Sequence, residues 1–169
     1  MARVGELDIK GAKIIRRDFE GKRFGPQARQ FLTEIIDPQM QEDLTKDGVA
    51  LLIYPSEIDG EPPRAYLKVR VDFRYNDVDI AAIDSDGTTF VFNENNVQEL
   101  DRAWIKDSEM HILLNSYERP GRKGVTAYCK TLVVWLMSPE EQEQERAERS
   151  DRPASNPVRD KYKDIFDRR

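Results

Sequence analysis

Residues 64–74 read Arg-Ala-Tyr-Leu-Lys-Val-Arg-Val-Asp-Phe-Arg, an alternation with a period of two. Successive side chains of a strand point to opposite sides, so this period marks a strand with one face in a core and the other in water. Ala65, Leu67, Val69, Val71 and Phe73 form the core face, and Arg64, Tyr66, Lys68, Arg70, Asp72 and Arg74 form the other. Four cations and an aromatic ring on an exposed sheet surface suit single-stranded nucleic acid, whose phosphates pair with cations and whose bases stack on rings. The same alternation also describes an ordinary solvated face of an antiparallel strand.

The rest of the chain adds short elements of the same kind. Residues 13–19 and 30–36 read as strands, separated by a glycine-containing loop. Asp37 as a cap, Pro38 at the first helical position and Gly48 as a stop mark a short helix. Residues 49–54 read as a buried strand, and 79–84 with 88–92 as a hairpin turned by Ser85, Asp86 and Gly87. A second short helix is expected over 95–103. Residues 111–117 and 124–136 follow as strands joined by a loop at 118–123. Six or more short strands with two brief helices suggest a mainly β fold, a small antiparallel barrel. At 169 residues the chain is one domain with an extension. The expected division is a flexible N-terminus at 1–11, the barrel at 12–137 and a charged linker with a short helix at 138–169.

The C-terminal part changes character. Ser138-Pro139-Glu140-Glu141 is a strong helix start, yet residues 140–149 contain Ala147 as their one apolar residue. A helix polar all round packs on nothing. Beyond Pro153 and Pro157, Val158, Tyr162, Ile165 and Phe166 fall at helical spacing. This stripe reads either as a docking peptide for a partner or as a helix that folds back on its own domain.

Enzyme chemistry finds little support. His111, the one histidine, sits mid-strand without a serine or cysteine nucleophile pattern around it. Cys129 lies in an apolar strand as a small hydrophobe, and a lone cysteine excludes an internal disulfide. No Cys/His spacing fits zinc, and Asp84-Ser85-Asp86-Gly87 lacks the spacing of a calcium loop. Gly121 and Gly124 bracket Arg122 and Lys123 without the pattern of a phosphate loop. No cofactor or metal is expected. No apolar run reaches the length of a membrane span, and the N-terminus lacks a signal-peptide stretch, so a cytoplasmic protein without membrane contact is expected.

Charge sharpens the binding reading. The net charge is −5, but the cations are segregated. Residues 10–30 carry seven Lys/Arg against two acids, while 64–74 and 117–130 each carry four against one. Such a chain can present a basic groove on an acidic body if the three segments meet in space. Aromatic rings keep company with these cations. Lys22, Arg23 and Phe24 share a loop; Tyr117, Arg119, Arg122 and Lys123 share another; Tyr128 and Lys130 share a strand face, as do Tyr66, Lys68 and Arg70.

Three stretches also resemble a known group. Lys13-Ile14-Ile15-Arg16-Arg17-Asp18-Phe19-Glu20-Gly21-Lys22, Tyr66-Leu67-Lys68-Val69-Arg70-Val71 and Gly124-Val125-Thr126-Ala127-Tyr128-Cys129-Lys130-Thr131-Leu132 occur in this order in phage-encoded OB-fold single-stranded DNA-binding proteins. The resemblance spans about residues 12–136. It implies an OB-type barrel that coats single-stranded DNA in phage replication or recombination, without catalysis. It carries Arg16, Arg17, Tyr66, Lys68, Arg70, Tyr128 and Lys130 as contacts. Replication or recombination proteins, and further copies of the chain, would be partners through the C-terminal stripe. The chain departs from the group in its tail. Ile165 and Phe166 are followed by Asp167, Arg168 and Arg169, with the acids upstream at 140–148. Two other readings stay open: a protein-interaction or inhibitor barrel acting through its acidic surface and C-terminal helix, and an enzyme or virion part without a recognisable signature.

Overall fold

The longest element is a hairpin. Strands Ile105–Arg119 and Arg122–Leu136 pair antiparallel along their whole length, from Ile105↔Leu136 to Arg119↔Arg122. In this computed structural model, which describes residues 2–56, 58–74 and 77–150, the other strands attach to that hairpin. The chain runs β1 (Ala2–Lys10), β2 (Ile14–Asp18), a 3-10 turn (Pro26–Ala28), β3 (Arg29–Glu34), α1 (Pro38–Lys46), β4 (Leu52–Tyr54), β5 (Arg64–Val71), β6 (Asp79–Ile83) and β7 (Thr89–Phe92). A second 3-10 turn (Val97–Asp101), the hairpin strands β8 and β9, and α2 (Pro139–Ser150) complete it. Neighbours follow the order β1-β8-β9-β5-β3-β2, with β4 on β5 and β6 between β7 and β9.

The mainly β, OB-like architecture agrees with the expectation, with two corrections to its geometry. The sheet is not closed: among the described residues no pairing joins its end strands, β1 and β2. It is also mixed, because β5 and β6 both pair with β9 in parallel. One edge of β9 serves both. Val69↔Ala127 and Arg70↔Tyr128 join β5, and Asp79↔Thr131 to Ile83↔Trp135 join β6. The handover falls at a bulge. His111 pairs with Thr131 and Ile112 with Cys129, so Lys130 is the extra residue. The side-chain parity of β9 flips there, with Ala127 and Cys129 buried before it and Leu132 and Val134 after it.

The main core holds Phe19, Phe31, Leu67, Val69, Ile112 and Leu132 among others, all at most 1% exposed. A second, smaller cluster of Ile15, Leu32 and Tyr66, edged by Leu52 and Tyr54, lies apart from it. Tyr66 is therefore 2% exposed. The expectation of a free ring on a solvated face is corrected, because β4 and β3 flank β5 at Tyr66 (Leu52↔Tyr66, Glu34↔Tyr66) and bring Leu52 and Leu32 over the ring.

Helix α1 forms as its capping signals predict. The Asp37 carboxylate accepts from Gln39 N at 3.0 Å, and the chain leaves the helix at Gly48 with φ 95°. The 95–103 helix is present as the shorter 3-10 turn. The first eleven residues, expected to be flexible, instead hold β1, paired with β8 from Ala2↔Ser116 to Lys10↔Glu109. His111 on β8 lies 2.6 Å from Asp8 and 3.5 Å from Glu6 of β1, side-chain contacts that link the two strands. The expected loop at 118–123 shrinks to Pro120 and Gly121, because the paired strands continue to Arg119 and Arg122.

α2 does find a partner, contrary to the expectation of a helix packed on nothing. Ser138 and Glu141 form a reciprocal capping box, with N–H bonds of 3.0 and 3.1 Å. Lys106 pairs with Glu141 at 3.3 Å, and the Arg146 and Arg149 guanidiniums lie 5.3 and 4.9 Å from the Trp104 ring centroid. Cation–π contact substitutes for an apolar stripe. Val158, Tyr162, Ile165 and Phe166 lie outside the described residues. No helix among the described residues is long and apolar enough to cross a membrane.

These contacts predict the outcome of truncation. A chain ending at Met137 should keep one cooperative thermal transition and lose about 1–2 kcal/mol, the sum of two partly exposed cation–π contacts. Trp104→Leu in the full chain should give most of the same loss in denaturant titration. Disappearance of the transition on truncation would mean that α2 belongs to the core.

Candidate nucleic-acid interface

β5 is bordered on one edge by β3 along its whole pairing, from Arg29↔Val71 to Glu34↔Tyr66. Its other edge is divided. β4 takes residues 64–66 and β9 takes 69 and 70. Two strands that reach one edge from different directions must diverge, and a wedge opens between β4 and the tip half of the β8–β9 hairpin. A parallel bridge between Val49 and Val125 closes its far end.

That wedge is a cleft of about 380 Å³. Lys68 and Arg70 line it from β5, Tyr117 and Arg119 from β8, Arg122 and Tyr128 from β9, and Leu52 from β4. Two of the three basic segments thus converge, and no carboxylate is among the described residues that line the cleft. Tyr128 sits directly across from Arg70. Tyr117 is held flat across the hairpin by its cross-strand neighbour Gly124, where a Cβ would lie 2.6 Å from the Tyr117 hydroxyl and 2.8 Å from ring carbons. Only glycine permits that approach.

The electrostatics of the cleft are those of an anion site. Burial, and then the adjacent Arg70 cation, hold the Lys68 pKa below the lysine value of 10.5. The Arg70 Nε is buried and makes no hydrogen bond. The nearby Asp72 carboxylate is chelated by Arg74 through Nε at 3.0 Å and Nη2 at 2.9 Å. Burial raises the Asp72 pKa, but the Arg74 bonds and the Arg70 charge outweigh it and hold the carboxyl below its ordinary value. Two neighbouring, partly desolvated cations are stabilised by any phosphate that enters between them.

The other residues expected at a site are placed differently. Arg64 faces Glu34 at 3.7 Å and hydrogen-bonds the Tyr66 phenol, and Arg74 is occupied with Asp72. Burial raises the Tyr66 pKa, with the Glu34 charge adding to it. Lys130, the bulge residue, donates to the Asp77 carbonyl at 2.7 Å. Lys123 alternates away from Arg122 and lines an adjoining open groove with Asp47 and Glu118, a groove that shares Tyr117 and Arg119 with the cleft. Lys22, Arg23 and Phe24 form an exposed loop whose backbone N–H groups of Lys22 and Arg23 are tied to Asp18, and Phe24 is 67% exposed. Asp18 pairs with Gln30 and Gln30 with Arg70, so this loop is rooted two strands, about 10 Å, to the side of Arg70.

Arg17 belongs to the interior. Its Nη1 donates to the Leu100 and Ala103 carbonyls at 2.6 and 2.8 Å, and burial pushes its pKa down to about 10. It lines a separate cavity of about 520 Å³ beside Trp104 and Arg149, where Asp101, Asp107 and Glu145 are also present. Leu52 and Tyr54 are the residues that sequence reasoning missed. Their run of apolar neighbours at 49–54 reads as a wholly buried strand.

Comparison with known proteins fits this geometry. Residues 1–165 match the family described as "Putative phage ssDNA-binding domain". The solved single-stranded DNA-binding protein from bacteriophage Enc34 is 13% identical, with 79% of this chain and 82% of that one covered at a TM-score of 0.51. Its C-terminal truncation is also 13% identical, with 79% and 87% covered at a TM-score of 0.50. At this identity the likeness establishes a shared fold. No curated protein matches the chain.

The Lys68–Arg70 pair predicts a titration. Lys68 should titrate below the ordinary lysine value in NMR of labelled side chains, and Arg70→Gln should move it part of the way back up. An unchanged Lys68 titration in Arg70→Gln would mean that the two cations do not sense each other.

Proposed function

The chain belongs to the phage single-stranded-DNA-binding domain family, and we propose that it coats single-stranded DNA in phage replication or recombination without catalysis, with the cleft between β5 and the β8–β9 tip as its principal contact. The observation that carries this reading is the convergence of Lys68, Arg70, Arg119 and Arg122 with two tyrosines in a cleft that, among the described residues, no carboxylate lines. Phosphates pair with the cations, and bases stack on Tyr117 and Tyr128. Stacking tolerates any base, so binding has little sequence preference. A duplex keeps its bases stacked inside and cannot use the tyrosines, so single strands are preferred. The acidic remainder of the chain repels the backbone elsewhere and steers the strand to the basic face that holds the cleft.

Binding to labelled oligo-dT and to duplex of equal length, at several salt concentrations, tests the reading. Affinity for dT should exceed that for duplex. Its log–log salt slope should be near −3, about −0.7 for each of four neutralised phosphates. Arg70→Ala should flatten the slope by roughly 0.7, whereas Tyr128→Ala should weaken binding by roughly 1–3 kcal/mol with the slope retained. Equal affinity for single strand and duplex, or affinity insensitive to salt, contradicts the proposal.

A further inference from the structure

Among the described residues, Arg16 is the one non-glycine residue in the left-handed region, with φ 49°. Side chains with a Cβ disfavour this conformation. Asn and Asp tolerate it by bonding their own backbone, an option arginine lacks. The residue sits in β2 where the register with β3 slips between Ile15 and Asp18. Ile14 faces the main core and Ile15 the smaller cluster, so simple alternation would turn Arg16 toward the core. The extra residue of the bulge keeps Arg16 on the side of Ile15 and sends Arg17 inward. The consequence is one contact: Arg16 Nη1 donates to the Tyr54 hydroxyl at 3.0 Å.

Tyr54 is half-buried, with its ring tilted by 47° on the buried Tyr66 at a centroid distance of 5.6 Å. The ring thus rests on a fixed aromatic floor while its hydroxyl is steered by a cation. Leu52 belongs to the same cluster and also lines the cleft, so the platform is continuous with it. Tyr54 pairs with Arg64, six residues along β5 from Arg70, a span of about 20 Å.

We propose that Tyr54 is a second base-stacking platform that extends the single-strand path beyond the cleft, and that the left-handed Arg16 is its positioning residue and a phosphate contact. This rests on the single-strand reading above and adds a subsite to it. The backbone conformation at Arg16 is retained for the place it gives the guanidinium.

The full-length chain with dT oligonucleotides tests this, with binding read by fluorescence anisotropy and stability by thermal melting. Arg16→Gly suits the left-handed backbone and removes the whole side chain, the guanidinium with it. It should melt no lower than the parent while binding at least several-fold more weakly. Tyr54→Leu should lose roughly 5- to 150-fold, the range of one stacked base, and Tyr54→Phe, which keeps the ring, should stay closer to the parent. In the parent, an oligonucleotide carrying 5-iododeoxyuridine should photocrosslink to the peptide that contains Tyr54. If Tyr54→Leu melts lower, Arg16→Gly and the crosslink decide. A parent that binds dT while Arg16→Gly and Tyr54→Leu bind equally tightly, without the crosslink, overturns the platform alone. A parent that fails to bind dT overturns the single-strand reading and the platform with it.

Discussion

The divided edge of β5 governs the molecule. One strand edge offers one line of hydrogen-bond donors and acceptors, and here β4 and β9 share it. Neither can extend along it without displacing the other. The hairpin tip therefore stands away from β4, and Lys68 lies on β5 between the two pairings. The same economy recurs on β9, whose edge passes from β5 to β6 at the Lys130 bulge. An antiparallel sheet with one partner per edge would have buried the cleft that the cations line.

Carboxylates decide which cations remain available. Arg74 is held by Asp72 and Arg64 faces Glu34. Arg17 and Lys130 are bound to backbone carbonyls, and Arg29 reaches the Phe19 carbonyl while it stacks on Phe73. Among the described residues that line the cleft no acid plays that role, and burial, then the Arg70 charge, holds the Lys68 pKa down. A net negative protein can hold a polyanion in this way, because charges farther away than the Debye length of about 8 Å are largely screened and the local arrangement decides.

Much of this was legible in the sequence. The alternation of residues 64–74 marks β5, and the caps of α1 and α2 mark both helix starts. The clustering of cations with tyrosines pointed to the segments that meet in the cleft. What failed to show was long-range. Tyr66 looks exposed until β4 is known to pair beside it. Alternation alone turns Arg16 inward and Arg17 outward, and only the bulge reverses the two. Among its described side chains β1 buries Ile9 alone and owes its place to pairing with β8, so its composition carries little strand signal. The partner of α2 is a tryptophan 42 and 45 residues upstream of the arginines that cover it, beyond the reach of helical periodicity. The resemblance to phage single-strand binders rested on three short stretches, and the family match extends over residues 1–165.

Hydrogen–deuterium exchange on the full chain, with and without saturating oligo-dT, measures the location of binding directly. The account predicts slowed exchange in residues 50–54, 66–70 and 117–128, with the cavity beside Trp104 and Arg149 unchanged. Protection centred on that cavity, with the β5 and hairpin-tip amides unaffected, would contradict it.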